Sequence, residues 1–596
     1  MTHTIREIAA ATPGAPAIED ERTALSYTEL VDRIDRFAAC LAHAGVTNGT
    51  PVALVGTRST EFVVALLATL DLGAVAVPID RDLPRRRRET MCTAANARHV
   101  VMLRGAPAAV GGGTREGDVL IELRAIKELA GDVGAQRGPG EADPNEAAYI
   151  FFTSGSTGVP KGVVGTQRGL SAFSAFQRNR FGIGPGDRVA LLRSISFDAV
   201  LREVCTPLTS GATICVPPDP LDPDAAQEWI AEQRITVLHV TPSHADVWMS
   251  GEGDPVPLPD VRLTIFSGEM LYGTTTHRWR SRLRPDADIV NLYGPTETTM
   301  AITFGIVPAD THAGPQPVGF PRPYSQAFVV DEHDHLCDVG RPGEVMLRTT
   351  TGTLGYLGAP DAQREVFVPN PFTDDESDLV YRSGDVGYLR EDGSLVISGR
   401  IDDQVQILGL RVEPSEIAAH LKDCPDIESA AVIAVTEEGK VPHLVAFVTP
   451  ESPPVTTDLR AFLLERLDRA KVPARFVRLE ALPLTTSGKT DFAALRELRS
   501  GGLGRRENAT SGSGESSAVP TLRDRLAALS PSQRRALAAR LGSGIEPAAA
   551  AEPRRTDRAG LRRRIASLSP EQRAALRSRL GHPAQPAPAP GSGSRR

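Results

Sequence analysis

The sequence contains no apolar run long enough to cross a membrane. Across its 596 residues, no stretch approaches the roughly 20 apolar residues that a transmembrane helix needs. The opening segment, MTHTIREIAA, also lacks the apolar core of a secretory signal peptide. We therefore expect a cytoplasmic protein with no membrane partner.

Cysteine is scarce, and the cysteines that are present do not cluster. No two of them form a C-x-x-C pair, which argues against a zinc ribbon, and their wide spacing argues against a small disulfide framework. This distribution is typical of a protein from a reducing compartment. The six positions are Cys40, Cys92, Cys205, Cys215, Cys337 and Cys424.

Lysine is absent from the last part of the chain, which is nonetheless strongly basic. Residues 501–596 contain 18 Arg and 7 acidic residues, a net charge of +11. Since the whole chain has a net charge of −8, residues 1–500 carry −19. A chain of this length also exceeds what one hydrophobic core usually serves. We expect at least two domains, with an acidic body and a basic tail.

Short β-branched runs alternate with longer amphipathic stretches through the body. The stretches 27–42 and 59–72 have the apolar spacing of helices. The alternation predicts an α/β fold with layered, largely parallel sheets. We predict a large N-terminal domain over residues 1–399 and a small α+β domain over residues 400–498. Buried strands are predicted at 52–55, 74–77, 149–152, 237–240 and 263–266.

The tail contains an internal repeat. Residues 522–542 recur as residues 561–581, an offset of 39 positions, and each copy contains Leu-Ser-Pro-x-Gln-Arg. Ser530 and Ser569 are placed to cap a helix whose first position is proline. Each copy predicts a helical hairpin that is too small to bury its apolar stripe alone, so we expect a partner surface. The predicted tail consists of a flexible linker over 499–520, two hairpins over 521–581 and a disordered end over 582–596.

A loop dense in glycine and hydroxyl groups follows the predicted strand 149–152. Its sequence is Thr-Ser-Gly-Ser-Thr-Gly-Val-Pro-Lys-Gly, from Thr153 to Gly162. Glycines allow a close backbone approach, hydroxyl and amide groups donate to phosphate oxygens, and the lysine adds positive charge. The ordinary P-loop spacing is absent. We predict a phosphate site formed by Thr153, Ser154, Gly155, Ser156, Thr157, Gly158 and Lys161.

This loop closely resembles the signature loop of the adenylate-forming superfamily, which includes acyl-CoA synthetases, luciferases and the adenylation domains of nonribosomal peptide synthetases. The resemblance covers about residues 5–498, since further family motifs follow in order. It implies the adenylate-forming fold, with a large N-terminal domain and a small mobile C-terminal domain. The matching motifs lie at 25–30, 72–80, 291–299, 381–385, 399–402 and 484–489.

The resemblance implies a site for ATP and Mg²⁺. Tyr293 resembles the aromatic face for adenine, Thr296 a phosphate donor, and Glu297 the carboxylate that holds the metal. Asp385 matches the acceptor for both ribose hydroxyls, and Arg400 matches a neighbouring ribose or phosphate partner. Beyond the signature loop, the implied nucleotide set is Asn291, Tyr293, Gly294, Thr296, Asp385 and Arg400.

Lys489 matches the lysine of the small domain that bridges the substrate carboxylate and the α-phosphate. A positioned ammonium there stabilises the negative charge that builds on phosphorus in the transition state. Along with Lys489, the resemblance assigns catalytic roles to Thr153 and Glu297. Asp402 matches the hinge about which the small domain rotates after adenylation.

Residues 196–203, Ser-Phe-Asp-Ala-Val-Leu-Arg-Glu, resemble the amino-acid branch of the superfamily. In that branch an aspartate after phenylalanine binds the α-ammonium, and Asp198 holds this place. Arg202 stands where many relatives carry a large aromatic, so it either binds an acidic or hydrogen-bonding side chain or pairs with a neighbouring acid. We expect a small polar or acidic α-amino acid, serine- or aspartate-like. The implied pocket consists of Asp198, Ala199, Arg202, His239, Ile265, Ser267, Leu292, Met300, Ala301 and Lys489.

The phosphopantetheine attachment context G-G-x-S is absent after residue 500, and no condensation domain precedes Met1. We therefore expect a stand-alone enzyme that forms aminoacyl-AMP and loads the phosphopantetheine thiol of a separate carrier protein in natural-product biosynthesis. The hairpins over 521–581 resemble helical segments at synthetase termini, and their basic charge suits docking to an acidic partner. The rival interpretation, nonspecific nucleic-acid contact, would leave their apolar stripes unused. We expect no nucleic-acid partner.

Two further functions stay open. A CoA or acyl-carrier ligase for a non-amino carboxylic acid would have no use for Asp198. A catalytically silent scaffold would act through its tail, and it would have no use for intact Lys161, Glu297, Asp385 and Lys489.

Overall fold

The computed structural model describes residues 1–104, 106, 119–122, 143–153, 160–222, 225–249, 255–402, 404–435, 442–450, 458–483 and 490–500. The chain forms two compact units, Met1–Leu495 and Arg496–Arg596. Of the second unit only residues 496–500 are described, so the hairpins predicted over 521–581 and the end predicted over 582–596 lie outside the described residues. The linker predicted over 499–520 lies almost wholly outside them too.

Several helices in the described residues begin where the sequence supplies a capping side chain. Ser26 accepts a hydrogen bond from the Glu29 backbone, and the Glu29 carboxylate accepts one from the Ser26 backbone, which completes a capping box. Ser59 caps the following helix by accepting from the Phe62 amide. Both helices predicted from the sequence are confirmed with nearly the expected ends. The helices are Thr2–Ala11, Tyr27–His43, Thr60–Asp71, Arg85–Ala94, Gln167–Phe181, Ala199–Leu208, Ala226–Glu232, Pro242–Trp248, Gly273–Arg280, Pro360–Val366, Pro414–Lys422, Leu459–Leu464 and Phe492–Ser500, with 3-10 turns at Thr296–Thr298 and Arg469–Lys471.

The strands of the described residues are numbered here along the chain. They are β1 Pro16–Glu19, β2 Ala24–Ser26, β3 Pro51–Gly56, β4 Val75–Asp80, β5 His99–Met102, β6 Val119–Glu122, β7 Ala147–Thr153, β8 Lys161–Thr166, β9 Arg188–Ala190, β10 Thr213–Cys215, β11 Val237–Val240, β12 Leu263–Ser267, β13 Asp288–Tyr293, β14 Thr303–Ile306, β15 Phe320–Pro321, β16 Ser325–Val330, β17 Gly343–Thr349, β18 Gly355–Tyr356, β19 Phe367–Pro369, β20 Leu379–Leu389, β21 Leu395–Arg400, β22 Val405–Ile407, β23 Leu410–Val412, β24 Ile427–Val435, β25 His443–Pro450 and β26 Arg475–Arg478. The five strands predicted from apolar runs correspond to β3, β4, β7, β11 and β12, and all five are confirmed.

Two large sheets hold most of the core of the first unit. One has the strand order β15-β14-β13-β12-β11-β9-β10-β1-β2, and the other has the order β18-β8-β7-β4-β3-β5-β6. Neighbouring strands run parallel at the centre of both sheets and at the β5–β6 edge of the second. The other edges and a third sheet, β16-β17-β20-β19 with β21 on β20, are antiparallel. Because β11, β12 and β13 are parallel, their carboxyl ends meet at one edge, which is where α/β sheets commonly bind ligands.

Residues 405–478 form a smaller α+β region within the first unit. It contains the β22–β23 hairpin and the three-stranded sheet β24-β25-β26, against which helix Pro414–Lys422 packs. This region has its own apolar core, which includes Ile417, Val432 and Leu463. A small α+β domain is therefore present where it was predicted, and its exact start at residue 400 stays a prediction. Among the helices that the structure describes, none is both long and apolar enough to cross a bilayer.

Candidate active site

A cavity of about 710 Å³ brings together side chains from distant parts of the first unit. Its lining includes Lys161 and Glu297 from the large region, Arg411 from the small region, and Thr490. Lys489, the neighbour of Thr490 in sequence, lies outside the described residues. Residues from the motifs predicted to bind phosphate, metal and ribose therefore converge on one cleft.

Asp385 lies on β20 opposite Arg400 on β21, and both of its carboxylate oxygens are held. Tyr293 Oη donates to Asp385 Oδ2 over 2.6 Å, and Arg400 Nη1 donates to Asp385 Oδ1 over 2.6 Å. These bonds fix the orientation of the carboxylate, and each oxygen keeps a lone pair for a further hydroxyl donor. An oriented carboxylate of this kind fits the two hydroxyls of a ribose.

The Arg400 guanidinium also pairs with Asp402. Arg400 Nε and Nη2 donate to the two Asp402 oxygens over 2.6 and 2.8 Å, a bidentate pair. Partial burial acts to raise the pKa of Asp402, but the hydrogen bonds and charge of Arg400 outweigh it and hold that pKa below its usual value. Asp402 is thus tied to β21 at the entry to the small region, and its role as a hinge stays a prediction.

Glu297 is almost completely buried, with 1% of its surface exposed, and two groups bind its carboxylate. Tyr356 Oη donates to Glu297 Oε1 over 2.7 Å, and Arg411 Nη1 lies 3.1 and 3.2 Å from the two oxygens. A cationic side chain from the small region therefore lies where Mg²⁺ was predicted. Among the described residues there is no cluster of three or more His, Cys, Asp or Glu side chains suited to a metal. Glu297 still fits Mg²⁺, because that ion commonly uses one or two carboxylates together with substrate phosphates.

The signature loop connects two paired strands next to this carboxylate. Thr153 ends β7 and pairs in register with Lys161, which begins β8. The Lys161 ammonium lies 5.3 Å from the centre of the Tyr356 ring, whose hydroxyl binds Glu297. The structure thus brings both ends of the loop to the cleft. The predicted phosphate residues between them, Ser154, Gly155, Ser156, Thr157 and Gly158, lie outside the described residues.

Three residues of the 291–299 motif have packing or bonding roles within the protein. Asn291 Nδ2 donates to the backbone oxygens of Gln316 and Pro317, each over 3.2 Å. A Cβ on Gly294 would lie 2.6 Å from backbone atoms of residues 301 and 302. Any larger residue would therefore push the end of β13 away from that neighbouring segment. The Thr296 side chain lies close enough to Asp198 to act against the rise in the pKa of that carboxyl, so the nucleotide motif adjoins the predicted amino-acid pocket.

The predicted amino-acid pocket lies at the carboxyl edge of β11, β12 and β13. His239 is in register with Ile265, and Ser267 with Leu292, across adjacent strands. Asp198 precedes helix Ala199–Leu208, whose residue Arg202 donates through Nη2 to Ser267 Oγ over 2.5 Å. Ile265, Leu292, Met300 and Ala301 belong to one apolar cluster. The structure therefore brings together the pocket residues that it describes; only Lys489 lies outside.

The loop that closes this pocket carries backbone strain. Thr299 and Met300 have φ values of +67° and +65°, in the left-handed region that side chains rarely adopt. Two successive non-glycine residues in this region persist only where the surrounding structure imposes them, and such positions cluster at functional sites.

Several charged groups of the site were not predicted from the sequence. Arg411 is 114 positions from its partner Glu297, and nothing in either segment indicates the pair. Arg193 and Glu203 lie close to the pocket residue Arg202. Glu203 Oε2 accepts from the backbone amides of Leu192 and Arg193 over 2.7 and 2.9 Å. The sequence signal for this group was Glu203 itself, the acidic residue that ends the 196–203 motif.

Comparison with known families finds two matches that together span most of the first unit. The family described as AMP-binding enzyme matches residues 5–357, and the family described as AMP-binding enzyme C-terminal domain matches residues 416–489. The second match covers most of the small α+β region.

Known proteins similar to this chain come from antibiotic biosynthesis. Novobiocin biosynthesis protein H of Streptomyces niveus is 34% identical over 494 residues, which cover 81% of this chain and 80% of that protein. Tyrocidine synthase 3 of Brevibacillus parabrevis is 33% identical over 498 residues, but these cover only 7% of that protein.

Solved structures agree on the fold. Holo-PA1221, described as a nonribosomal peptide synthetase protein containing adenylation and carrier (PCP) domains, is 26% identical with a TM-score of 0.71, covering 83% of this chain and 84% of that one. The Vibrio cholerae adenylation domain AlmE, solved with glycyl-adenosine-5'-phosphate, has a TM-score of 0.71 at 23% identity and covers 84% of this chain and 97% of that one.

Proposed function

The chain belongs to the AMP-binding enzyme family and is an ATP-dependent, AMP-forming ligase of the nonribosomal adenylation type; from this premise we propose that it activates a small polar or acidic α-amino acid. The observation that carries the proposal is the position of Asp198. Its carboxylate lies near Thr296 of the nucleotide motif and has no ion pair among the described residues. Burial raises the pKa of Asp198, and the charge of Arg202 and the nearby Thr296 side chain offset only part of this effect. An α-ammonium would complete the site.

In the first half-reaction the substrate carboxylate attacks the α-phosphorus of ATP, an oxygen–phosphorus bond forms, and pyrophosphate leaves. Asp385 and Tyr293 hold the nucleoside, while Lys161 and the signature loop bind the phosphates. Glu297 would hold Mg²⁺, and the bound ion would supply positive charge to the phosphate oxygens. Lys489 bridges the substrate carboxylate and the α-phosphate and stabilises the charge of the transition state.

In the second half-reaction a phosphopantetheine thiol attacks the aminoacyl carbonyl, a thioester forms, and AMP leaves. We place the hinge for the rotation between the two steps at Asp402, which Arg400 binds at the entry to the small region. We place the thiol on a separate carrier protein. The basic segment 521–581, predicted to form two hairpins, serves as the docking segment for this carrier or for a partner synthetase.

Separate assays of the two half-reactions test this proposal on Lys489→Ala. Amino-acid-dependent ATP–pyrophosphate exchange should fall by on the order of 10²–10³, because one positioned donor to the transition state is lost. Transfer of the aminoacyl group from preformed aminoacyl-AMP to holo-carrier should stay near the wild-type rate. Exchange at the wild-type rate in this variant would refute the role of Lys489.

A further inference from the structure

The guanidinium of Arg202 is buried in the pocket, near the charges of Glu203 and Asp198 but without a direct ion pair among the described residues. The residue is 2% exposed, and its only hydrogen bond among the described residues goes from Nη2 to the neutral hydroxyl of Ser267. Its Nε is buried without an acceptor, and no carboxylate of the described residues forms an ion pair with it. A buried charge of this kind is costly unless something else compensates it.

His239 stands beside this guanidinium with both ring nitrogens unpartnered. It is 1% exposed, and neither Nδ1 nor Nε2 has a hydrogen-bond partner among the described residues. Burial, followed by the positive charges of Arg202 and Arg193, holds the pKa of His239 well below its usual value. The ring is therefore neutral at physiological pH, and it offers one N–H donor to an acceptor in the pocket.

A second guanidinium, that of Arg193, lies near Arg202 and pairs with Glu203. Its Nε lies 3.8 Å from Glu203 Oε1, within ion-pair distance but beyond hydrogen-bond distance, and its Nε and Nη2 are buried without hydrogen-bond partners. The other oxygen of Glu203 accepts from two backbone amides. Glu203 therefore serves Arg193, and the buried donors of the predicted pocket that still lack an acceptor among the described residues include Arg202 Nε and the N–H of His239.

We propose that the amino acid carries a short anionic side chain, whose charge is bound by Arg202 and whose oxygen accepts from His239. The inference rests on the proposed function, because it assigns the α-ammonium to Asp198. Asp198 is the N-cap of helix Ala199–Leu208 and has helical backbone angles, so Asp198 and Arg202, four positions apart, lie on the same side with an axial separation of about 6 Å. That separation suits an ammonium and an anion on neighbouring carbons, as in aspartate, or a slightly longer arrangement, as in O-phosphoserine.

The test is ATP–pyrophosphate exchange by the full-length wild-type protein with L-aspartate, O-phospho-L-serine, L-glutamate, L-asparagine and L-serine. We expect kcat/KM for one of the first two acids to exceed that for asparagine and serine by at least ~100-fold, since a neutral ligand leaves the buried charge uncompensated. Comparison of the first two acids separates a carboxylate from a phosphate. Preferential use of serine, asparagine or another neutral amino acid would overturn the inference and leave the proposed function intact. A lack of exchange with every amino acid would overturn the proposed function, and the inference with it.

Arg202→Gln gives an independent readout. The variant should lose ~100-fold in kcat/KM for the anionic substrate and should no longer distinguish it from its neutral amide, whereas Arg202→Lys should recover part of the preference. Arg88→Gln is the matched control, because Arg88 is also buried and donates to the backbone oxygens of Arg81 and Leu83, away from the pocket. If Arg202→Gln kept the wild-type preference, the inference would be wrong; should it fail to fold, the ranking of wild-type substrates decides.

Discussion

Glu203 is a buried acid whose ionisation opposes folding. It is completely buried, and burial raises its pKa from 4.5 to about 7 despite the opposing charge of Arg193. Because the folded protein holds the proton more tightly than the unfolded chain does, the contribution of this group to stability is full below pH 4.5. That contribution is lost as the pH rises to about 7.

We predict that Glu203→Gln reduces the fall in unfolding free energy between pH 5 and pH 8 by on the order of 3 kcal/mol. The amide oxygen of glutamine can still accept from the Leu192 and Arg193 backbones, but it does not titrate. Urea unfolding at both pH values measures the effect. Glu228→Gln, at an exposed helical position, is the control and should leave the pH dependence as in the wild type. An unchanged slope in Glu203→Gln would contradict the assignment.

At the scale of elements, the β22–β23 hairpin of the small region contacts the large one through its tip. At its tip the Gly409 amide donates to Glu269 Oε1 over 2.7 Å, and Leu408 and Gly409 have φ values of +52° and +77°. A Cβ on Gly409 would lie 2.7 Å from Thr241 Cγ2 and 3.2 Å from Arg193 Nη1. Only glycine allows this close approach without displacing the hairpin.

Gly409→Ala should therefore disfavour the arrangement seen here. Since the small region is expected to change position between the half-reactions, we predict a selective loss of about tenfold or more in one of them, with the other nearly unchanged. Exchange and carrier-loading rates measure the two steps separately. Gly340→Ala is the matched control, because Gly340 has a φ of +80° and open space around its Cβ position. Equal losses in both steps would count against a conformational role.

The Arg411–Glu297 ion pair links the same hairpin to the predicted metal ligand. Arg411 lies 3.1 Å from a carboxylate that is expected to hold Mg²⁺, so the guanidinium and the metal compete for one partner. Arg411→Gln should lower the Mg²⁺ concentration needed for half-maximal nucleotide binding several-fold, because a buried carboxylate without its cation gains more from a metal.

Titration of nucleotide binding with Mg²⁺ measures this directly. Arg348→Gln is the control, since Arg348 pairs with Asp378 over 2.6 Å outside the cleft and should leave the Mg²⁺ requirement unchanged. A higher Mg²⁺ requirement in Arg411→Gln would show that the two cations do not compete.

For the molecule as a whole, the sequence predicted what depends on local pattern. The strands β3, β4 and β7 contain continuous apolar runs, and the motif around Asp385 consists of neighbouring residues, so both could be recognised without coordinates. The pairs Arg411–Glu297 and Arg202–Ser267 could not, because they join segments 114 and 65 positions apart. The sequence alone does not decide whether Arg202 faces an acidic side chain or a ligand, because the answer depends on which side chains the fold places around it.

The basic tail is the other feature of the whole chain that leads to a prediction. Deletion of residues 518–596 should raise the apparent KM for the cognate holo-carrier about tenfold and leave aminoacyl-AMP formation unchanged, because docking contributes to the encounter and not to the chemistry. Loading kinetics at several carrier concentrations measure this KM. A higher salt concentration should also raise the apparent KM of the intact protein, because it screens the charges of the tail. Equal impairment of both half-reactions would count against docking.

The central claim is that this protein couples the carboxylate of an α-amino acid to AMP. The most direct measurement is amino-acid-dependent exchange of labelled pyrophosphate into ATP by the purified full-length protein, with the matching des-amino acid as a second substrate. We predict exchange with the amino acid, strong loss with the des-amino acid, and loss with the amino acid in Asp198→Asn, since Asp198 binds the ammonium. Equal exchange with both acids, or none with any amino acid, would contradict the account.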